Sequence, residues 1–337
     1  PAGEQSGRFE LSGRFDPSTG SWEFRQSEGS DRVVRWKLEH SFGELECGWR
    51  RPRISGSGVG ERGEIDYSFG FDRFSCVPAS DPQAFEAQPG SVAGHWRFDF
   101  GGGGADEELA GVVETARLEW PDPRTAWIAG RTRLAYRFSR QPGETQWLLE
   151  LEPEAAGVSL VGADLPKLKL ENLSGRFAAR LDPAEPDRWP ARVDASLEIA
   201  RVELIATIFG AGMLRDVRLA GSGELGRAGS IRQHRLSGSI REARMRLGDL
   251  SATGEQINFD GVFDRNSMTP GDNHVTSLEV ERIQVRSTNL NLESGRFRGR
   301  IAGELRGDDL LPRTWLVDGA FPSGSFTGRN LAGTFDG

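Results

Sequence analysis

The stretch from Ser277 to Leu305 reads SLEVERIQVRSTNLNLESGRFRGRIAGEL. Its apolar residues recur at every second position, the spacing of a β-strand with one face turned toward a core. The phase of that alternation changes along the way. Leu278 and Val280 are even-numbered, Ile283 and Val285 odd, Leu290 and Leu292 even, and Phe297, Ile301 and Leu305 odd again. A continuous strand that shifted by one would swap its faces, so each change of phase predicts a turn or a bulge. Strands of about 5 to 10 residues joined by short Gly-, Asn- or Asp-bearing connections make an antiparallel meander.

The same alternation runs outward through the chain. VRWKLEHSF puts Val34, Trp36, Leu38, His40 and Phe42 on one face, and IDYSFGF groups Ile65, Tyr67, Phe69 and Phe71. HWRFDF (Trp96, Phe98, Phe100), TRLAYRF (Leu134, Tyr136, Phe138), ARVDASLEI (Val193, Ala195, Leu197, Ile199) and EARMRLG (Ala243, Met245, Leu247) repeat it, with charged or small residues opposite. The tetrapeptide SGRF occurs at 6–9, 12–15, 174–177 and 294–297. Ser-Gly tolerates a bend and Arg-Phe restarts the alternation, so the element reads as a repeated strand start. Helix signals are few. IATIFGAGMLRD, Ile205 to Asp216, carries Ile205, Ile208, Phe209, Gly212 and Met213 at helical spacing and is the one short helix expected. ADEELAGVVETARL has an acidic start that suits a helix but reads better as a strand.

Between Val77 and Asp106 the chain is loop-like, in VPASDPQAFEAQPG and GGGGADEE. This predicts an aromatic-rich β region over 1–105 and a repetitive aliphatic β region over 106–337, continuous with each other. Strands before Val77 are rich in aromatics, and those after Val158 turn to Leu, Ile and Val. The chain opens at PAGEQSGRFEL and stops at LAGTFDG, both of which read as strands entered or left midway, as expected of an excised fragment.

Composition narrows the function. The 337 residues are 36% apolar and 27% charged, with a net charge of −8 and a mean hydropathy of −0.48. An acidic balance without a basic, aromatic-interleaved stripe argues against nucleic acid as a partner. Glycine, at 44 residues, favours turns and bulges over helices. No run of about 18 apolar residues and no signal peptide is present, so any anchor lies outside this fragment. Cys47 and Cys76 are the two cysteines, read either as a disulfide or as isolated buried thiols.

Catalytic patterns fail one by one. His40, His95, His234 and His274 have no zinc-ligand spacing. DRNSMTPGDNH, with Asp264, Asn266, Asp272 and Asn273, lacks the calcium-loop pattern. GGGG at 101–104 is not followed by Lys-Ser or a helix, and SGSGVG at 55–60 lacks the strand-to-helix setting of a nucleophile elbow. The expectation is a protein that is not an enzyme, with no metal and no cofactor. Of the nine tryptophans, Trp22, Trp36, Trp96 and Trp147 sit in alternating segments and read as core. Trp49, Trp127, Trp189 and Trp315 lie near breaks and are candidates for exposed sugar-stacking rings, as in a carbohydrate-binding or adhesin-like β protein.

An amphipathic sheet must hide its apolar side, and with helices nearly absent the choices are a sandwich, a barrel, or an open curved sheet holding an apolar ligand. The expectation is an all-β chain forming one elongated, twisted antiparallel sheet or groove, with a pair of compact β-sandwich domains as the alternative. A transmembrane barrel wants about ten-residue strands with aromatic girdles, which short slipping strands do not provide. The run LPKLKLENLSGRFAARLDP, followed by RVDASLEIARVEL, LAGSGELGR, LSGSIREARMRLGDLSATG and the opening stretch, resembles the AsmA-like group of bacterial envelope proteins, which includes the YdbH and TamB families. The resemblance covers roughly Val158 to Gly337. It implies a long, twisted, taco-shaped β-groove in the periplasm, anchored in the inner membrane by an N-terminal helix. Its apolar interior would carry phospholipid between inner-membrane and outer-membrane components. On that reading Val193, Leu197, Ile199, Met245, Leu247, Leu278, Val280, Ile283, Val285, Leu290 and Leu292 line a lipid-holding strip. The other reading of the same residues is an ordinary dry core.

Overall fold

The computed structural model describes residues 11–26, 34–40, 43–78, 85–101, 106–120, 125–162, 167–181, 192–207, 210–225, 231–264, 274–303, 315–328 and 331–336. Every regular element among them is a β-strand, and every registered pair is antiparallel, as the alternation predicts. Two compact units divide the chain at Ala163/Asp164, with 182–184 counted in the first. That boundary lies beside the aromatic-to-aliphatic change at Val158. On either side of residues 102–105, β6 and β7 pair with each other from Asp99–Asp106 to Glu86–Glu119.

The first unit holds β1 (Leu11–Asp16), β2 (Ser21–Gln26), β3 (Val34–His40), β4 (Gly43–Val59), β5 (Arg62–Pro78), β6 (Phe85–Asp99), β7 (Asp106–Trp120), β8 (Thr125–Ala129), β9 (Thr132–Arg140) and β10 (Trp147–Gly162). They pair in the sequence β1–β2–β4–β5–β6–β7–β9–β10. β3 extends the line of β2 along β4, and β8 extends the line of β9 between β7 and β10. The segment AFEAQPG, expected as loop, mostly lies inside β6. Pro89 is tolerated there because it has no registered partner on either neighbouring strand, lying between the Gln88–Arg117 and Gly90–Thr115 pairs on one side and between the Ala87–Phe74 and Gly90–Phe71 pairs on the other.

The second unit holds β11 (Lys167–Leu181), β12 (Arg192–Thr207), β13 (Gly210–Leu225), β14 (Ile231–Leu247), β15 (Leu250–Asp264), β16 (His274–Arg286), β17 (Leu290–Gly303), β18 (Trp315–Ala320), β19 (Ser323–Gly328) and β20 (Leu331–Asp336). It is a meander from β11 to β17, after which β18 and β19 share the edge of β17 and β20 pairs with β19. The helix expected over Ile205–Asp216 is absent. β12 and β13 meet there in a hairpin closed by the Thr207–Gly210 pair, because β-branched residues favour the ladder and the two glycines weaken a helix.

The strands are longer than the sequence suggests, reaching 17 residues in β4 and 13 in β16. The change of phase between Val285 and Leu290 is the turn between β16 and β17, but the slips after Val280 and after Leu292 fall inside strands and do not end them. β11 steps from Glu171–Arg201 to Leu173–Ile199, leaving Asn172 and Ala200 out of the ladder. The same one-residue excess recurs at Asp216, Arg241, Gln256, Arg282 and Gly295, so the bulges form one line across β11 to β17. Asn172, Asp216, Gln256 and Arg282 take φ of 50°, 48°, 50° and 57°. Because neighbouring strands all carry the extra residue at one level, every strand changes phase together and the apolar face stays on one side. Asp216 and Arg241 pair across the line at 2.9 Å, and Arg282 reaches Glu255 at 2.8 Å.

Left-handed backbone costs about 1–2 kcal/mol in a residue that carries a Cβ. Gln256→Gly is therefore expected to stabilise the second unit by up to about 1 kcal/mol after the entropy of glycine is subtracted. Gln256→Val is expected to cost about 2 kcal/mol, since β-branching is worst at positive φ. Urea titration of both variants checks the sign of each change.

Candidate functional site

The SGRF copies show how the faces are built. At Ser12–Phe15 and Ser174–Phe177 the Gly and Phe fall on one face and the Ser and Arg on the other. The copies at Ser174–Phe177 and Ser294–Phe297 lie in mid-strand and are not strand starts, whereas Ser12–Phe15 begins at the second residue of β1; the copy at 6–9 lies outside the described residues. In NLSG the Asn is the bulged residue, and Leu173 resumes the apolar phase.

Register across the second unit brings all eleven expected strip residues to one face. One transverse row runs Leu173, Ile199, Val217, Ile240, Ile257, Val280 and Phe297. The next runs Gly175, Leu197, Leu219, Gly238, Phe259, Leu278 and Gly299. Val193 belongs to the row of Ala179 and Gly223. Met245, Val285 and Leu292 share a row through Ala252, and Leu247 pairs with Leu250 at a hairpin end near Leu290. From β11 to β17 this face carries no Asp, Glu, Lys or Arg at any registered position. Leu168, Leu170, Leu214, Leu219 and Ile240 complete it, packed around the buried Ile199, Val202 and Val217. The sequence reading missed them, although the period-two signal with a slip at Asn172 marks Leu168, Leu170 and Leu173 in the same way.

Few of the described side chains on this face are buried. Nine apolar residues are buried among those described, and four of them are alanine. Of the eleven strip residues, Ile199 and Val280 are buried, while Met245, Leu247 and Leu290 are 38%, 51% and 42% exposed. The remaining six are half-buried. That profile fits the floor of an uncovered sheet better than the middle of a two-layer core, where both sides would be closed.

The first unit has an aromatic counterpart. Phe15, Trp22, Gly58, Gly63 and Phe98 form one row, and Phe24, Gly56, Ile65, Trp96, Leu109, Phe138 and Leu149 the next. Glycine here is a floor for rings, beyond the turn role its abundance suggests. A Cβ at Gly63 would lie 2.3 Å from Trp22 Cζ2, and one at Gly90 would lie 2.3 Å from Phe71 Cζ. Trp22 stacks on Phe24 and Phe98 with centroids 5.9 and 6.1 Å apart, and Phe138 stacks on Trp147 at 4.4 Å. At this end Arg140 bonds Glu107 at 2.7 Å and lies 4.9 Å over Trp147. Trp127, one of the proposed exposed rings, is half-buried in β8. Trp189 and the side chains of Trp49 and Trp315 lie outside the described residues, as do those of Cys47 and Cys76.

The two tyrosines of the chain meet on this face. Tyr67 pairs with Gly94 across β5 and β6, Gly94 with Gly111, and Gly111 with Tyr136, so each phenol reaches over a glycine and the two hydroxyls hydrogen-bond. Burial pushes the Tyr67 phenol well above its ordinary range, helped by the bond to Tyr136. Burial raises Tyr136 as well, against the opposing effect of that bond. Both remain protonated at neutral pH.

The opposite faces are charged and self-neutralising. Only Lys37, Lys167 and Lys169 are lysine, so 39 of the 42 basic residues are arginine, whose fork suits carboxylates. Arg137 grips Glu108 through Nε at 3.0 Å and Nη2 at 2.6 Å, and Arg235 grips Asp260 at 2.9 and 2.6 Å. Burial pushes the Glu108 carboxyl up, but the Arg137 guanidinium outweighs it and the net shift is downward. Hydrogen bonding from Arg235 lowers Asp260. Exposed pairs of this kind are worth at most about 1 kcal/mol each and chiefly keep the outer face wetted. Among the described residues no cluster of three or more His, Cys, Asp or Glu is placed to hold a metal ion, and no helix is long and apolar enough to cross a membrane. Comparison with protein-family models, with curated proteins and with solved structures finds no match for this chain.

Proposed function

We propose that this chain is a non-enzymatic lipid-transfer or lipid-bridging protein of the bacterial envelope, holding phospholipid acyl chains against its apolar sheet faces. The observation that carries the reading is the charge-free face of β11 to β17, which keeps one side through seven strands while most of its side chains stay half-exposed. An acyl chain can slide along such a strip without meeting an unpaired charge, and each CH₂ it buries contributes about 0.8 kcal/mol. The arginine–carboxylate ladders on the other face keep the exterior in water. A periplasmic setting, an inner-membrane anchor outside this sequence, and inner- and outer-membrane components as partners belong to the same proposal and rest on the AsmA-like resemblance.

The test is native mass spectrometry with lipid extraction on the purified chain and on Leu278→Asp and Val285→Asp. Both positions are half-buried on the strip. Co-purifying phospholipid that falls at least tenfold in variants with unchanged far-UV circular dichroism supports the proposal. A lipid-free wild type whose variants simply unfold points to a closed core and overturns it.

A further inference from the structure

The aromatic face of the first unit is apolar along its middle rows, from Ile65 and Val92 to Leu134 and Leu151. Most of its polar side chains are bonded, although Gln26 Oε1 and Arg140 Nε are buried without a partner. Glu107 and Arg140 neutralise each other at one end. Thr115 is bonded to the carbonyls of Gln88 and Arg117, and Thr132 to that of Gly130. The Tyr67–Tyr136 pair is different. Two phenols own two O–H protons, and their mutual bond uses one of them whichever ring donates. The second O–H has no other hydrogen bond among the described residues. Where the hydroxyls meet solvent, that proton is donated to water. Once an apolar occupant displaces that water, the proton needs an acceptor or incurs the penalty of an unmade bond.

We propose that the paired hydroxyls of Tyr67 and Tyr136 accept a bound phospholipid in one register, donating a hydrogen bond to an ester carbonyl of its acyl chains. This rests on the lipid-holding reading and deepens it. The ester carbonyl is the acceptor nearest the point where an acyl chain meets its glycerol, so it is the polar atom that travels with the apolar tail. Gly94 and Gly111 are what let the hydroxyls lie low in the floor. A Cβ at either would stand 2.5 Å from Tyr67 Oη or 2.6 Å from Tyr136 Oη. Both phenols stay protonated, so the pair offers a neutral donor and puts no charge in the path of the tails.

The experiment is a competition read by native mass spectrometry. The protein is incubated with equal amounts of phosphatidylglycerol carrying ester-linked and ether-linked hexadecyl chains, which share headgroup and tail length but differ in the carbonyl. Wild type is expected to retain the ester lipid roughly five- to tenfold over the ether lipid, the value of one neutral hydrogen bond. The Tyr67→Phe/Tyr136→Phe double variant keeps both rings and is expected to retain the two lipids equally. Single variants are not used, since each leaves one hydroxyl able to donate. Equal retention by wild type, or a preference that survives in the double variant, overturns the role of the tyrosines and leaves the lipid reading standing. Retention of neither lipid by wild type overturns both.

Discussion

Gly90→Val is expected to destabilise the first unit by about 3 kcal/mol, the upper end of what overpacking costs. A Cβ at this position would lie 2.2 Å from the backbone oxygen of Glu114 and 2.3 Å from Phe71 Cζ. The backbone contact cannot be relieved by a rotamer change. Phe71, 4% exposed, is wedged among Phe69, Phe74, Val92, Val113 and Leu118 and cannot swing away. Strand propensity alone favours valine over glycine by up to about 1 kcal/mol, so the sign of the result separates the two effects. Phe71→Ala by itself is expected to cost about 3–5 kcal/mol through lost burial and the cavity left behind. The double variant should cost clearly less than the sum, because removing the ring removes half of the clash. Urea denaturation followed by tryptophan fluorescence gives all three values. A stabilised Gly90→Val would show that the ring does not rest on this glycine and that the face is assigned wrongly.

Val280→Asp is expected to cost about 3–5 kcal/mol at neutral pH, the loss typical of an uncompensated buried charge. Val280 is 7% exposed, and its registered neighbours on the apolar face are Ile257 and Phe297. Burial will raise the folded-state pKa of the new carboxyl above its unfolded value near 3.9. Below the unfolded value the group is protonated in both states and most of the charge penalty is absent. Stability is then lost as pH rises from about 4 through the raised folded value. The adjacent Glu279→Gln, on the other face, removes pairs to Arg296 and Arg298 that are solvent-screened, and is expected to change stability by under about 1 kcal/mol. Denaturation midpoints for the two variants between pH 4 and 8 test the face assignment by one residue's difference in parity. Similar small losses in both would sink it.

Much of this architecture was legible in residue order because a side chain's face on a strand depends on parity, which is local. Ile65, Tyr67, Phe69 and Phe71, or Leu278 and Val280, declare a shared face without any knowledge of partners. The phase changes after Val280 and after Leu292 were legible too, as interruptions. Whether an interruption ends the strand was not. Arg282 and Gly295 can stay inside long strands only because they sit on adjacent strands at one level, with Gln256 on the next strand and Arg241 on the one beyond it in the same line. Had one strand alone slipped, its faces would have been exchanged, and a turn would have been the cheaper solution.

The eleven strip residues illustrate the same division. Their apolar character and spacing followed from the sequence, but that Val193, Met245 and Leu290 belong to one face is set by register between strands far apart in order. The helix expected over Ile205–Asp216 failed for this reason as well, since its apolar residues gain more by joining the ladders of β12 and β13 than from a helix weakened by two glycines. Gly94, Gly111, Tyr67 and Tyr136 are unremarkable where they stand in the chain. The sequence by itself determined that the protein is built of amphipathic strands with one apolar side. Only the tertiary structure decided that the slips align into a single line, that the glycines become a floor for rings, and that two tyrosines 69 residues apart share a hydrogen bond. Periodicity is encoded residue by residue, whereas register, close approach and pairing are properties of two or more strands and exist only once those strands have met.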